Sequence, residues 1–486
     1  MIDFELNGQT LKISSFDEKG DIKFTDIHLP ANELYTWKKV DEGTNTKYRT
    51  VWDEPIQKRS SRYLTNYRIN DILHRLPQEK KDIIFDNNKP KLFSVDIEVE
   101  VGEGFSSAET AERSILTIAF SYENMAWAVG IKPLSEAQKA SIKKRLDEHF
   151  QTFGIEFKFG YTYYQSESLM LRDFFERFIP KMPAITGWYF LNFDWTYMVN
   201  RCRLLGIDPT VSSPTRKMDK TISKNKHNKD NKEIELPMHR LVFDYKEVWE
   251  KWDRTIKVKE SSSLDVVSET VLKGVNKVKF SGNFQQLYEQ DFETYVFYNC
   301  VDSILVTLIH KKLKTFDTHL MLAKEGMVRV KDAFSPSKMI ECILAEDYMR
   351  KGQMFIKDKE RVHQNYEMGT YTGGYVKEPN KGIYDNVAIF DYSSLFPSII
   401  RQYNISPDVF LGQKVSETHF EDDEGNVHPI TDKMITTSSG GVFDKTKDGI
   451  LRTKIEDLYE KRLSQKYKEK QLALEIDWLK KQAENA

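Results

Sequence analysis

A chain of 486 residues is too long for one small module and sets an expectation of about three domains. Hydrophobic residues at 40% and charged residues at 30% exclude an intrinsically disordered chain. Lys and Arg total 72 against 74 Asp and Glu, so no global basic field advertises nucleic acid; an anionic partner has to be held by local patches or metal ions.

Cys202, Cys300 and Cys342 stand too far apart for a zinc knuckle or a disulfide framework, which fits a reducing compartment. No apolar run approaches the ~18 residues a membrane helix needs. The N-terminus, Met1-Ile2-Asp3-Phe4-Glu5, lacks the basic start and apolar stretch of a signal peptide. The expected setting is the cytoplasm (host cytoplasm for a viral protein), with no membrane partner.

In chain order, residues 1–90 read as short β segments broken by turns, ending in the polar stretch Gln78 to Pro90. From Lys91 to Lys314 the pattern is α/β. A strand is predicted over Leu92 to Val99 and a further β run over Ile115 to Tyr122. Ser135-Glu136-Ala137-Gln138 has the S-x-x-Q form of a capping box opening a helix that runs to Phe150. Helices follow over Ser168 to Phe178 and Asp291 to Lys314. Arg216 to Lys232 is basic and turn-prone, an exposed loop or hairpin tip that is either a solvated turn or a contact to DNA phosphates. Ser335 and Pro336 restart a helix towards Gly352. A β run over Asn386 to Asp391 meets a helix near Pro397, and Ile450 to Gln482 is one charged helical pattern.

Within Leu92 to Val99 the period of two puts Phe93, Val95, Ile97 and Val99 on one face and Ser94, Asp96 and Glu98 on the other. The two acids stand roughly 7 Å apart at the backbone, near enough to reach one metal centre. Like charges at ~4 Å repel by about 1 kcal/mol in water and about 4 at an effective dielectric of 20, a cost that a divalent cation turns into attraction. A lone Asp-x-Glu is also what a solvated strand edge offers. Two later segments add to it. Thr186-Gly187-Trp188-Tyr189-Phe190-Leu191-Asn192-Phe193-Asp194 sets a carboxylate after aromatic residues at a helix start. Tyr298-Asn299-Cys300-Val301-Asp302 puts a phenol and a carboxylate on one helical face.

In this order the three segments resemble the Exo I, Exo II and Exo III motifs of proofreading 3′–5′ exonucleases, whose fold is ribonuclease H-like. The resemblance implies that Asp96, Glu98, Asp194 and Asp302 ligate two Mg²⁺ (or Mn²⁺) ions and that Tyr298 orients the attacking water. Hard cations favour carboxylate oxygens, and a two-metal site stabilises both the attacking and the leaving oxygen of an in-line displacement. One departure is Tyr189, where the family usually has Asn; it bears on a contact to the DNA end, not on the metal ligands.

Phe390-Asp391-Tyr392-Ser393-Ser394-Leu395-Phe396-Pro397-Ser398-Ile399-Ile400 resembles motif A of family B DNA polymerases. The continuation through Arg401 and Asn404-Ile405-Ser406-Pro407 is similar to polymerases of T4-like bacteriophages. The resemblance implies a catalytic Asp391, a metal held by Asp391 and Tyr392, and a deoxynucleoside triphosphate beside Ser394, Leu395 and Phe396. Phe396 replaces a Tyr whose ring excludes ribonucleotides, and it keeps the ring. Tyr371-Thr372-Gly373-Gly374 resembles the family's Y-x-G-G/A segment, implying template–primer contacts at Tyr371, Gly373 and Gly374. Arg462 and Lys466 share a helical face that matches the first fingers helix, or is simply a solvated basic face.

The fold class expected is multidomain α/β and α+β. It comprises a β-rich N-terminal domain at 1–90 with 315–362 returning to it, an exonuclease domain at 91–314, a partial palm at 363–448 and partial fingers at 449–486. The family's second fingers motif, K-x-x-x-N-S-x-Y-G, and its palm motif, Y-G-D-T-D, do not occur in this sequence. The function expected is therefore the N-terminal subunit or fragment of a split replicative DNA-directed DNA polymerase with its own exonuclease. Its partners would be single-stranded and primer–template DNA, deoxynucleoside triphosphates, a C-terminal polymerase polypeptide and a sliding clamp. The alternatives are a stand-alone 3′–5′ exonuclease and a non-catalytic DNA-binding assembly module.

Overall fold

The computed structural model describes the chain except residues 52, 87, 103, 105, 225–230, 254–260, 276, 279–283, 355–376, 393 and 485–486. The chain divides into two compact units: Met1–Glu33 with Arg75–Cys342, and Leu34–His74 with Ile343–Ala486.

The first unit is built on a six-stranded sheet. Its strands are β1 (Leu92–Val99), β2 (Ile115–Tyr122), β3 (Met125–Gly130), β4 (Lys158–Tyr163), β5 (Ala184–Thr186) and β6 (Leu241–Val242). The spatial order is β4-β3-β2-β1-β5-β6, with β1–β2 and β2–β3 antiparallel and the other pairs parallel. Both faces are covered, which is why β2 is apolar almost throughout. On one face Phe93, Val95 and Ile97 pack with Trp195, Met198 and Cys202 of α1 (Asp194–Leu204). The other face carries α2 (Phe292–Leu313), followed by α3 (Thr315–Glu325). Ser135 and Gln138 form the capping box expected of the helix Glu136–His149.

A three-stranded antiparallel sheet of Asp3–Asn7, Thr10–Phe16 and Ile22–His28 belongs to the same unit. The basic segment at 216–232 is an antiparallel hairpin of Met218–Lys224 and Asn231–Pro237, with its tip outside the described residues. All three cysteines are buried, and none forms a disulfide.

Several expectations need correcting. Gln78–Phe85 is a helix, not a polar connection: Lys81, Ile84 and Phe85 fall at helical spacing and are buried. Asn66–His74 is a second helix in a region read as β, burying Ile69, Ile72 and Leu73. α2 is long and apolar enough to cross a membrane, although no such run was evident in the sequence; 83% of that window is buried inside the protein, as a core helix would be.

In the second unit, Gln353–Met354, Tyr48–Thr50, Pro55–Ser60 and Tyr35–Lys39 form a four-stranded sheet in that order. A five-stranded sheet carries Phe410–Lys414 at its centre. The helices α4 (Leu395–Tyr403) and α5 (Ile450–Glu484) pack together. Arg401 grips Glu456 through two hydrogen bonds of 2.5 and 2.6 Å, and Asn404 Nδ2 donates to the carbonyls of Asp444 and Lys447. The run at Asn386 to Asp391 is not a strand. Val387 and Ile389 are 68% and 90% exposed, and no described strand hydrogen-bonds to them; apolar character makes a strand only where a sheet edge accepts it.

Candidate active site

β1 is the middle of the first unit's sheet, and it carries the first two acids. Asp96 lies opposite Ala119 and Glu98 opposite Thr117 on β2, and the register shifts between Glu98 and Val99. Small cross-strand neighbours leave room above the strand for two half-buried carboxylates.

α1 delivers the third acid. Asp194 opens that helix, buried, and its Oδ1 accepts the N–H of Ile97 at 3.1 Å, tying the helix start to β1. The preceding turn is tight. A Cβ on Gly187 would stand 2.5 Å from the Val95 carbonyl oxygen and 2.7 Å from the Phe190 ring, so only glycine lets this segment approach the strand. Tyr189 has φ of 62° and donates its N–H to Asp244 Oδ1 at 3.1 Å. Its side chain is 44% exposed with Lys246 Nζ over the ring.

α2 delivers the rest. Asn299 Nδ2 donates to Asp96 Oδ2 at 2.7 Å while Asn299 Oδ1 accepts from Thr117, so this amide fixes the Asp96 carboxylate. One turn later Asp302 is buried, and its Oδ2 accepts from Lys277 Nζ at 2.5 Å. Asp302 Oδ1, also buried, has no hydrogen-bond partner among the described residues. Lys277 stands over the Tyr298 ring at 5.8 Å, and Tyr298 packs edge-on against Phe284.

The electrostatics join these groups into one site. Burial raises Asp96 to about 7, with Asp302 adding to the rise and Lys277 opposing it. Burial also lifts Glu98 well above the usual carboxylate range, reinforced by Asp96 and Asp302. Asp194 is raised by burial and then by Asp96. Asp302 is raised by burial despite Lys277. Burial works against the charge on Lys277, but Asp302, Tyr298 and Asp96 outweigh it and hold the ammonium protonated. The Tyr298 hydroxyl is raised, by burial and then by Asp302, and stays a neutral donor at physiological pH.

Among the described residues, no group of three or more His, Cys, Asp or Glu side chains stands ready to hold a metal ion. The donor chemistry nevertheless fits a hard divalent cation. The acids push one another's protonation upward, and a buried Asp302 oxygen lacks any partner among the described residues.

Sequence reading missed three participants. Lys277 lies in an irregular segment with no motif around it, Asn299 is one of many helical polar residues, and Asp244 caps a short helix. Asp244 is raised to about 7 by burial and then by Glu247, and it in turn raises Asp194. The only signal was local: Asn299 sits inside the Tyr298-to-Asp302 segment.

The motif A residues are arranged differently. Asp391 and Tyr392 lie exposed in irregular chain. Ser394 has φ of 53° ahead of α4, and Leu395 and Phe396 begin that helix 44% and 78% exposed. Arg462 on α5 donates to Ser394 Oγ at 3.0 Å, joining two of the expected nucleotide-site residues. Lys466 is exposed on the same helix. Tyr371, Gly373 and Gly374 lie outside the described residues.

Comparison with known proteins identifies the class. The profile described as DNA polymerase family B, exonuclease domain, matches residues 45–267, and that of DNA polymerase family B matches residues 335–482. Together they take in most of the chain. The chain thus carries regions matching a family B exonuclease domain and part of a family B polymerase domain. The chain belongs to DNA polymerase family B.

It is 27% identical over 398 residues to the DNA-directed DNA polymerase of Escherichia phage RB69, covering 79% of this chain and 43% of that protein. It is 27% identical over 321 residues to the DNA-directed DNA polymerase of Enterobacteria phage T4, covering 65% of this chain and 34% of that protein. A DNA polymerase of Thermococcus sp. (strain 9oN-7) is 27% identical over 220 residues, which is 45% of this chain and 27% of that protein. The chain spans less than half the length of each of these relatives.

Proposed function

We propose that this chain hydrolyses DNA from its 3′ end and supplies the exonuclease and part of the palm of a replicative DNA polymerase. The observation that carries this reading is that Asp96 and Glu98 on β1, Asp194 at the start of α1 and Asp302 on α2 act on one another's charge, with Lys277 bonded to Asp302. The strand order, an antiparallel β1–β2–β3 meander continued by parallel β5 and β6, suits a ribonuclease H-like exonuclease domain at 91–314.

In this reading the four carboxylates hold two Mg²⁺ or Mn²⁺ ions, which would activate the attacking water and stabilise the leaving oxygen. Asn299 keeps the Asp96 carboxylate aimed at the site. Lys277 fixes one oxygen of Asp302 and leaves the other available as a ligand. Tyr298, held neutral, orients the water through its hydroxyl. Asp391 and Tyr392 would bind metal, and Ser394, Leu395, Phe396, Arg462 and Lys466 deoxynucleoside triphosphate. Both roles also need segments of the form K-x-x-x-N-S-x-Y-G and Y-G-D-T-D, which do not occur in this sequence. Single-stranded and primer–template DNA and a sliding clamp complete the proposed partners.

The test is a 5′-labelled primer–template incubated with Mg²⁺, with and without deoxynucleotides. Shortening in both conditions, abolished in Asp302→Ala, is the expected result. An unshortened primer, or shortening that survives Asp302→Ala, removes the exonuclease assignment.

A further inference from the structure

We propose that Tyr295 is a positioning residue for Glu98: its buried hydroxyl is the donor that holds the Glu98 carboxylate when that acid ligates a divalent cation. The inference rests on the exonuclease reading above and adds to it a side chain outside the three segments that stand out in the sequence.

Three of the four acids already have a donor in the protein. Asn299 Nδ2 donates to Asp96, the N–H of Ile97 to Asp194, and Lys277 Nζ to Asp302. Glu98 accepts no hydrogen bond and forms no ion pair among the described residues. It is also the longest of the four side chains, with one more rotatable bond to fix than an aspartate has. Carboxylates that ligate a metal are as a rule held by an outer hydrogen bond, and Glu98 is the one acid here without it.

The register of α2 on β1 brings Tyr295 to that gap. Thr307 Oγ1 donates to Ser94 Oγ at 3.0 Å. Two turns earlier on the helix, Asn299 reaches Asp96, two residues further along the strand. One more turn back, Tyr295 comes level with Glu98, on the strand face that Ser94, Asp96 and Glu98 share. The charges around the hydroxyl agree: after burial, Glu98 raises it most, ahead of Tyr288 and Asp96. The Tyr298 hydroxyl, by contrast, answers after burial to Asp302, on the Lys277 side of the site.

Packing does not explain this hydroxyl. Tyr295 is 1% exposed, with the rings of Tyr288, Phe284 and Phe292 at 5.2, 5.9 and 6.0 Å between centroids. Two of those three neighbours are phenylalanines, so a phenyl ring suits the cluster. Tyr295 Oη has no hydrogen-bond partner among the described residues. A buried donor left unpaired costs free energy that phenylalanine would avoid. The spare donor and the unheld acid lie on facing elements, and each supplies what the other lacks.

Tyr295→Phe in the full chain removes only the hydroxyl. In EDTA the variant should melt no lower than the parent, because no bond is lost. Mn²⁺ binding, followed by the electron paramagnetic resonance of the free ion, should weaken about tenfold or more. The Mg²⁺ concentration for half-maximal excision should rise with it, while the KM for DNA stays unchanged. In a Glu98→Ala background, where Asp96, Asp194 and Asp302 remain as ligands, the same substitution should change Mn²⁺ affinity by about twofold at most. Unchanged Mn²⁺ affinity in Tyr295→Phe, or an equal loss with and without Glu98, overturns the assignment. So does a variant that melts lower in EDTA, which would make the hydroxyl a packing group. Failure of the exonuclease reading looks different: the parent itself leaves the primer unshortened. Weakened Mn²⁺ binding in Tyr295→Phe alone would then uphold Tyr295 as the positioning residue of a metal site and remove only the nuclease role.

Discussion

Asp302 meets two opposite demands with one carboxylate. One oxygen is neutralised by Lys277, and the other is buried without a partner among the described residues. Lys277 thereby offsets part of the repulsion among four acids without occupying the ligand position. Lys277→Met should slow excision by about 10–100-fold, the range typical for groups that position metal ligands. With the cation gone, the neighbouring acids rise further, so the onset of activity should move to higher pH. Excision rates measured across pH in Mg²⁺ read both effects; an unmoved profile would reduce Lys277 to a structural ion pair. Asp96 makes a second prediction. Its folded value of about 7 lies above the unfolded 3.8, so between those values the folded state keeps a proton that the unfolded state has lost. Stability from this group is full below pH 4 and falls as pH rises to 7. In EDTA, Asp96→Asn should melt higher than the parent at neutral pH, with the difference vanishing near pH 4. These carboxylates were legible in the sequence because strand and helix periodicities put them on shared faces. Lys277 was not, since a lysine in irregular chain acquires meaning only once folding brings it to Asp302.

At the scale of elements, the site depends on how closely the segment before α1 approaches β1. Gly187 sets that distance, and the obstacle to any side chain there is a backbone carbonyl that cannot swing aside. Gly187→Ala should cost about 1–3 kcal/mol of stability through overpacking. It should also lower excision more than the melting shift alone explains, because Asp194 rides on the same turn. Comparing melting temperature with excision rate at a temperature where the variant is folded separates the two. Where elements were misread, the reason was context. Val387 and Ile389 alternate as a strand would, but strand formation needs an accepting edge, and none of the described strands provides one. Gln78–Phe85 looked polar because one stripe of Lys81, Ile84 and Phe85 suffices to bury a short helix.

At the scale of the molecule, the two units differ in how they hide their apolar side chains. The first carries extensive clusters on both faces of its main sheet. In the second, α5 leaves Leu458, Leu463, Leu472, Ile476 and Trp478 each about half exposed along one continuous 35-residue helix. An apolar surface of that extent fits the proposed role of this unit as a platform for further polymerase segments.

The three buried cysteines give this division a practical use. Cys202, Cys300 and Cys342 all belong to the first unit, and burial raises the thiol of each, so the reactive thiolate is withheld while that unit stays closed. Alkylation then becomes a clock for opening of the nuclease half alone. Iodoacetamide should label the native chain slowly and accelerate steeply where the first unit melts. A Mg²⁺-induced slowing would register occupancy of the carboxylates without any DNA present. Labelling as fast as in free peptide would mean that the core around α2 opens on its own. The second unit, lacking cysteine, is left blank for a single introduced thiol that would time its motions separately.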